Sequence, residues 1–73
     1  MARGWLHTVP DGNQWRNETE GGEALSTHET KEEAVQAGRD EARERSTEHV
    51  IHNADGSIAE RNSYGSDRPD VTG

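Results

Sequence analysis

From Trp5 to Val9 the chain alternates in steps of two, with Trp5, His7 and Val9 on one side and Leu6 and Thr8 on the other, which predicts a strand. Pro10-Asp11-Gly12-Asn13 ends it. Proline presets one turn torsion and Asp-Gly accepts positive φ, so Gln14 to Thr19 is expected to return antiparallel with Trp15 and Asn17 on one face. That hairpin would let Trp5 meet Trp15. Glu20-Gly21-Gly22-Glu23 reads as a second turn and Ala24 to Thr27 as a short third strand.

The period then changes. Thr30 followed by Glu33 is a capping box: the Thr hydroxyl accepts from the third helical N–H while the Glu carboxylate reaches back to the cap N–H, so a helix should start at Lys31. Ala34, Val35, Ala37, Gly38 and Ala42 recur at spacings of three and four and form one stripe, with Glu33, Gln36, Asp40 and Arg43 outside it. The stripe is almost entirely small, which lets the helix axis approach a sheet closely and leaves the intervening volume to Trp, Val and Ile from the strands. Glu41 and Arg45 stand in the favourable order for an i, i+4 pair, and Arg43 and Arg45 suit the negative C-terminal end.

Ser46-Thr47 breaks the helical pattern, and alternation resumes from Glu48 to Asn53 with His49 and Ile51 opposed to Val50 and His52. Asn53-Ala54-Asp55-Gly56 is a hairpin turn leading to a last, edge strand over Ser57 to Asn62, where Ile58 and Glu60 oppose Ala59 and Arg61. From Ser66 to Gly73 the chain is polar and aperiodic, as in a disordered tail. The pattern therefore predicts a single α+β domain over residues 1–65, of order β-β-β-α-β-β, with one amphipathic helix packed on one face of an antiparallel sheet.

Composition limits what such a domain can be. With 73 residues and 26% hydrophobic content the core must be small, because a chain of this length buries only about 60% of the surface its unfolded form exposes. There is no cysteine, so neither disulfides nor a thiolate metal site supplements that core. Stability must come from packing, capping or association, and a homodimer is one expectation. No window has the apolar length of a membrane span, and Met1-Ala2-Arg3-Gly4-Trp5 lacks a signal-peptide run, so a cytoplasmic protein is expected. The formal net charge of −7 arises from 15 acidic and 8 basic residues, and Lys31 is the sole lysine. An acid-rich, lysine-poor surface is the pattern of proteins that work in concentrated salt, and it repels nucleic acid and anionic lipid at long range.

Candidate chemistry is sparse. His49 and His52 are three apart, but in a strand they point to opposite sides, so no metal ligands are assigned; His7 and His28 would join them only if the fold converged. No nucleophile elbow and no phosphate-cradling loop is present, and the paired carboxylates Glu32-Glu33 and Asp40-Glu41 lie on the solvated helix face. Catalytic residues and cofactors are therefore not expected, and the domain reads as non-enzymatic. The candidate interaction surface is Trp15, Arg16, Arg61, Asn62 and Tyr64, which combines a Trp beside an Arg with a guanidinium, an amide and the only Tyr at a strand end.

Trp5-Leu6-His7-Thr8-Val9-Pro10, then Trp15, Thr30-Lys31-Glu32-Glu33-Ala34, Val50-Ile51-His52 with Asp55-Gly56, and Arg61-Asn62-Ser63-Tyr64-Gly65 resemble, in this order, the small prokaryotic family labelled Domain of Unknown Function 2188. The chain departs from it in Asn13-Gln14 before Trp15 and in the Arg68-Pro69-Asp70 tail. The resemblance implies domain boundaries and no mechanism. Three strands, a Trp-Arg strand and a Thr-Lys-Glu-Glu-Ala helix start also resemble the arm-type DNA-binding domains of tyrosine recombinases, which implies a sheet face that reads nucleic acid through Arg3, Arg16 and Arg61. Counterion release needs several bases per site, and the acidic balance opposes it. A protein-interaction or structural module, self-associating through its sheet or an edge strand, is the leading expectation, with the nucleic-acid module as its alternative.

Overall fold

A computed structural model describes residues 5–65. The tail expected from Ser66 onward, and Arg3, lie outside the described residues. The elements follow the expected order: β1 (Leu6–Asp11), β2 (Gln14–Thr19), β3 (Ala24–His28), α1 (Lys31–Arg45), β4 (Glu48–His52) and β5 (Ile58–Ser63).

β1 and β2 form an antiparallel hairpin around Gly12, whose φ of 63° suits glycine. The strand carries on through Pro10 and Asp11, which pair with Trp15 and Gln14, so the turn is tighter than the four residues Pro10 to Asn13. Trp5 and Trp15 do not meet: Pro10 is the partner of Trp15, and the two indoles lie on opposite faces of the sheet.

The five strands form one sheet in the order β3-β2-β1-β4-β5. The sheet is mixed, not antiparallel throughout, because β1 and β4 run parallel. The reason is directional. β3 runs the same way as β1, and the chain reverses once to enter α1 and once to leave it. The strand that follows must therefore run with β3 and with β1. β4 takes the edge of β1 that β2 leaves free, and β5 then pairs antiparallel on its far side. Asp55 closes that last hairpin: its Oδ1 accepts from the Ser57 N–H at 2.9 Å and the Ser57 hydroxyl at 2.7 Å, and these bonds hold its carboxyl below the usual range.

The helix starts where its cap specifies. The Thr30 hydroxyl accepts from the Glu33 N–H at 3.1 Å, and Arg45 donates to Glu41 at 2.7 Å. Of the small stripe, Ala34, Gly38 and Ala42 are buried. The 15-residue helix, about 22 Å long, packs on β1 to β4 and leaves β5 outside its footprint. At its end Ser46 adopts a left-handed conformation, with φ 54° and ψ 52°, and its N–H bonds back to the last turn.

Two stability changes follow. Replacing Ser46 by Gly removes the Cβ that disfavours the left-handed region and should raise the unfolding free energy by about 0.5–1 kcal/mol in a urea titration. Gly38→Ala should do the opposite, although alanine favours helices. Its Cβ would lie 2.6 Å from Asn17 Oδ1 and 2.7 Å from His49 Nε2. Overpacking by about 1–3 kcal/mol outweighs a propensity gain of about 1 kcal/mol, so the urea midpoint should fall.

Candidate functional site

The two faces of the sheet carry different chemistry. Alternation places Leu6, Thr8, Trp15, Asn17, His49 and Ile51 under the helix, and Trp5, His7, Val9, Arg16, Glu18, Glu48, Val50, His52 and Arg61 on the uncovered face.

Of the Trp, Val and Ile expected to fill the volume beneath the helix, Trp15 and Ile51 lie on that side, but the valines of β1 and β4 face the other way and a buried polar cluster stands beside Ile51. Thr8, Asn17 and His49 are all essentially inaccessible to solvent. Asn17 Nδ2 donates to the Ala34 carbonyl at 2.9 Å and to Ser26 Oγ at 3.3 Å, which fixes the amide so that its Oδ1 accepts from the Thr8 hydroxyl. With that proton committed, Thr8 Oγ1 must accept from His49, 2.7 Å away. His49 is therefore the Nε2–H tautomer, assigned from the network. Its Nδ1 is buried without a hydrogen-bond partner. Burial, and then the positive fields of Arg39 and His7, depress its pKa from 6.5 to about 4. The cluster ties β1, β2 and β4 to the helix.

On the uncovered face β1 and β4 bring together two histidines 45 residues apart in sequence, with His7 Nδ1 3.0 Å from His52 Nε2. Each ring is held from its other nitrogen. His7 Nε2 lies 2.6 Å from the Glu20 carboxylate, and His52 Nδ1 lies 3.0 Å from the Gly56 carbonyl. Both outer partners accept, so both outer nitrogens are donors.

The charged groups around this pair are matched in the same way. Arg16 bridges Asp11 and Glu18, each at 3.1 Å, and Arg61 reaches Glu48 at 3.3 Å while its guanidinium lies 5.1 Å from the Trp5 ring centroid. Every Asp, Glu or Arg on the uncovered face among the described residues thus has an opposite charge beside it. Trp5 and Ile58, the large exposed apolar side chains, lie at this face: Trp5 is 41% exposed and stacks with Arg61, and Ile58 is 61% exposed and pairs with His52.

The five residues singled out in sequence do not form one patch. Arg16 and Arg61 lie on the uncovered face, on β2 and β5, with the two strands β1 and β4 between them. Trp15 faces the helix side, half-buried, with Lys31 Nζ 5.3 Å from its ring centroid. Asn62 pairs with His49 and shares its face. Tyr64 is half-buried past the end of β5, where its N–H donates to the Thr47 carbonyl at 3.3 Å. Beside it a Cβ on Gly65 would lie 2.8 Å from the Ser46 carbonyl oxygen, so the glycine lets the chain pass under the helix end. His49 and His52 point to opposite faces, and His28 bonds to Ser26 on the helix side. What sequence reasoning missed is the His7–His52 pair, whose only signal was that both histidines alternate with Val on their strands.

Residues 6–64 match the family model described as an uncharacterized protein conserved in bacteria, Domain of Unknown Function 2188. The chain belongs to this family. The match covers all six elements of the fold, from Leu6 in β1 to Tyr64 just past β5, and it brings no activity with it. No curated protein and no solved structure matches the chain at a significant level. Among the described residues no helix is long and apolar enough to cross a membrane.

The buried histidine makes stability depend on pH. In the unfolded chain His49 gains its proton below pH 6.5, whereas in the folded domain it stays neutral down to about pH 4. The unfolded state therefore binds more protons throughout that window. Stability should fall from pH 6.5 to about 4, by an amount on the order of 3 kcal/mol at most. Urea midpoints at several pH values, compared between the wild type and His49→Gln, check this. The part of the slope due to His49 should be missing from the variant.

Proposed function

We propose that this domain is a non-enzymatic, cytoplasmic interaction module that self-associates through the uncovered face of its sheet. The observation that carries the reading is the charge pairing on that face. Burying an unpaired charge costs several kcal/mol, whereas ions already paired and hydrogen-bonded enter an interface at a smaller desolvation cost, since their partners come with them. Arg16 is both ion-paired and hydrogen-bonded to Asp11 and Glu18 before any partner arrives, and Arg61 is ion-paired to Glu48, whose Oε1 makes no hydrogen bond. Trp5, Val9 and Ile58 supply the apolar area between them. The outer helix face is the reverse: Glu32, Glu33, Asp40 and Glu44 have no ion pair among the described residues, and such charges favour water.

The same pairing weighs against the nucleic-acid reading. A phosphate would have to displace carboxylates from both Arg16 and Arg61, on a chain whose net charge of −7 already repels it.

Salt separates the two readings because it acts with opposite sign. Copies of an acidic protein repel one another, so screening strengthens their association, while phosphate binding weakens steeply as counterions are added. Size-exclusion chromatography with light scattering should give a dimer whose dissociation constant falls between low and high salt. Arg61→Glu, which sets a like charge beside Glu48 and removes the Trp5 stack, should weaken it by about tenfold or more. Lys31→Glu on the helix side, which changes the net charge by the same amount, should weaken it far less. A strict monomer at both salt concentrations would overturn the proposal, as would binding to mixed DNA or RNA at low salt that is lost in Arg16→Ala.

A further inference from the structure

We propose that His7 and His52 form a two-histidine site for a divalent transition metal on the uncovered face. The argument begins with the protons. Glu20 accepts from His7 Nε2 and the Gly56 carbonyl accepts from His52 Nδ1, so in neutral rings both inner nitrogens present lone pairs. Those nitrogens, His7 Nδ1 and His52 Nε2, are 3.0 Å apart. A cation bound by both nitrogens would remove the repulsion between lone pairs at that distance.

Ligands at about 2.05 Å whose nitrogens are 3.0 Å apart subtend an angle of about 94° at a metal lying about 1.4 Å off the line between them, so to bind it both rings turn toward it and separate by about 0.3 Å to reach the tetrahedral value. The outer partners are those that orient metal-bound imidazoles: a carboxylate on one ring and a backbone carbonyl on the other, each fixing the tautomer that frees the inner nitrogen. The rings are tilted by 35° with centroids 5.2 Å apart, so the inner nitrogens face each other edge to edge and the rings do not stack. The His7 side chain is 20% exposed, which leaves the pair open to solvent from the uncovered face.

Ligand chemistry sets the class. Imidazole nitrogen suits zinc, nickel and copper(II), not magnesium or calcium. Among the described residues no group of three or more His, Cys, Asp or Glu side chains gathers around a common point, so the protein supplies two ligands and water completes the sphere. His49, on the other face and bonded to Thr8, takes no part. Both ligands come from one chain, but they lie on the face proposed to self-associate, so the titration is read at low salt, where the monomer is favoured, and its outcome is independent of whether a dimer forms at high salt.

The test titrates the full, isotope-labelled chain with zinc chloride and follows the histidine ring resonances by NMR, with calorimetry for stoichiometry. One equivalent should shift the rings of His7 and His52 and leave those of His28 and His49 in place. His7→Gln and His52→Gln should each weaken binding by about tenfold or more, Glu20→Gln should weaken it to a smaller extent, and His28→Gln should not change it. The amide spectrum of each variant reports whether it is folded, and the wild-type ring shifts decide the matter if a variant is not. Unmoved His7 and His52 resonances at one equivalent of zinc, or equal loss in His28→Gln, would overturn the assignment.

Discussion

The close approach of the helix to Thr8, Asn17 and His49 at Gly38 is the constraint on which the rest of this fold depends. Three strands meet there, and each contributes a polar group where a small domain would ordinarily place a methyl. Because only 26% of the residues are hydrophobic, the chain cannot fill the space under α1 with aliphatic volume alone. It uses hydrogen bonds between β1, β2, β4 and the helix backbone in its place. Such a cluster specifies geometry more tightly than an aliphatic layer, because each group has few acceptable partners. One lone pair, His49 Nδ1, is left over. That residue then remains neutral, since an imidazolium there would bring a second proton with no acceptor and no solvent.

This arrangement divides the molecule. The helix closes one face, and only Ala34, Gly38 and Ala42 of its stripe go fully under cover. Among the described residues the opposite face receives no element of secondary structure, yet Val50 on it is almost wholly buried. Its cover comes from side chains: Trp5 and Arg61 stacked together, Glu48 beside them, and the His7–His52 pair. A layer of paired polar groups over a thin apolar seam stays hydrated in the monomer and loses little when another surface dehydrates it. Both readings of the uncovered face, an interface and a metal site, rest on how far its polar atoms are already organised, with Glu48 Oε1 the buried one that has no hydrogen bond.

Local features were legible in the sequence. The Thr30 cap, the end of the helix at Ser46, the strand alternations and the hairpin at Asp55-Gly56 are all encoded within a few residues, and the edge position of the last strand followed from its composition. The direction of β4 relative to β1 was not read, although counting chain reversals through the helix determines it. Trp5 and Trp15 looked like cross-strand partners because both are aromatic and lie near a turn, but a two-residue turn places Trp15 opposite Pro10. The polar cluster was harder to read. Alternation assigns residues to a face without saying which face is covered, and a threonine, an asparagine or a histidine reads the same on either. Gly38 was the available clue: a glycine in the middle of an alanine stripe costs helix stability, and close approach of the neighbouring layer is the usual compensation. The His7–His52 contact joins residues 45 apart across a parallel pairing, and no short-range signal announces it.

The acid excess also acquires a location. Glu18 and Glu48 are matched by arginines on the uncovered face, while Glu23, Glu29, Glu32, Glu33, Asp40, Glu44 and Glu60 have no ion pair among the described residues. The unpaired carboxylates thus gather on the helix, the loops and the helix-side face of β5. This distribution has a physical consequence for a weakly apolar chain. Repulsion between copies is strongest where their helix sides approach and weakest between uncovered faces, so the charge of −7 orients encounters as well as opposing them. Screening by salt lowers the general repulsion, and the locally paired face, whose charges are already neutralised at contact distance, changes least. An acidic surface and an associating face are therefore compatible in one small domain, provided the two sets of charges are kept on different sides of the sheet, as they are here.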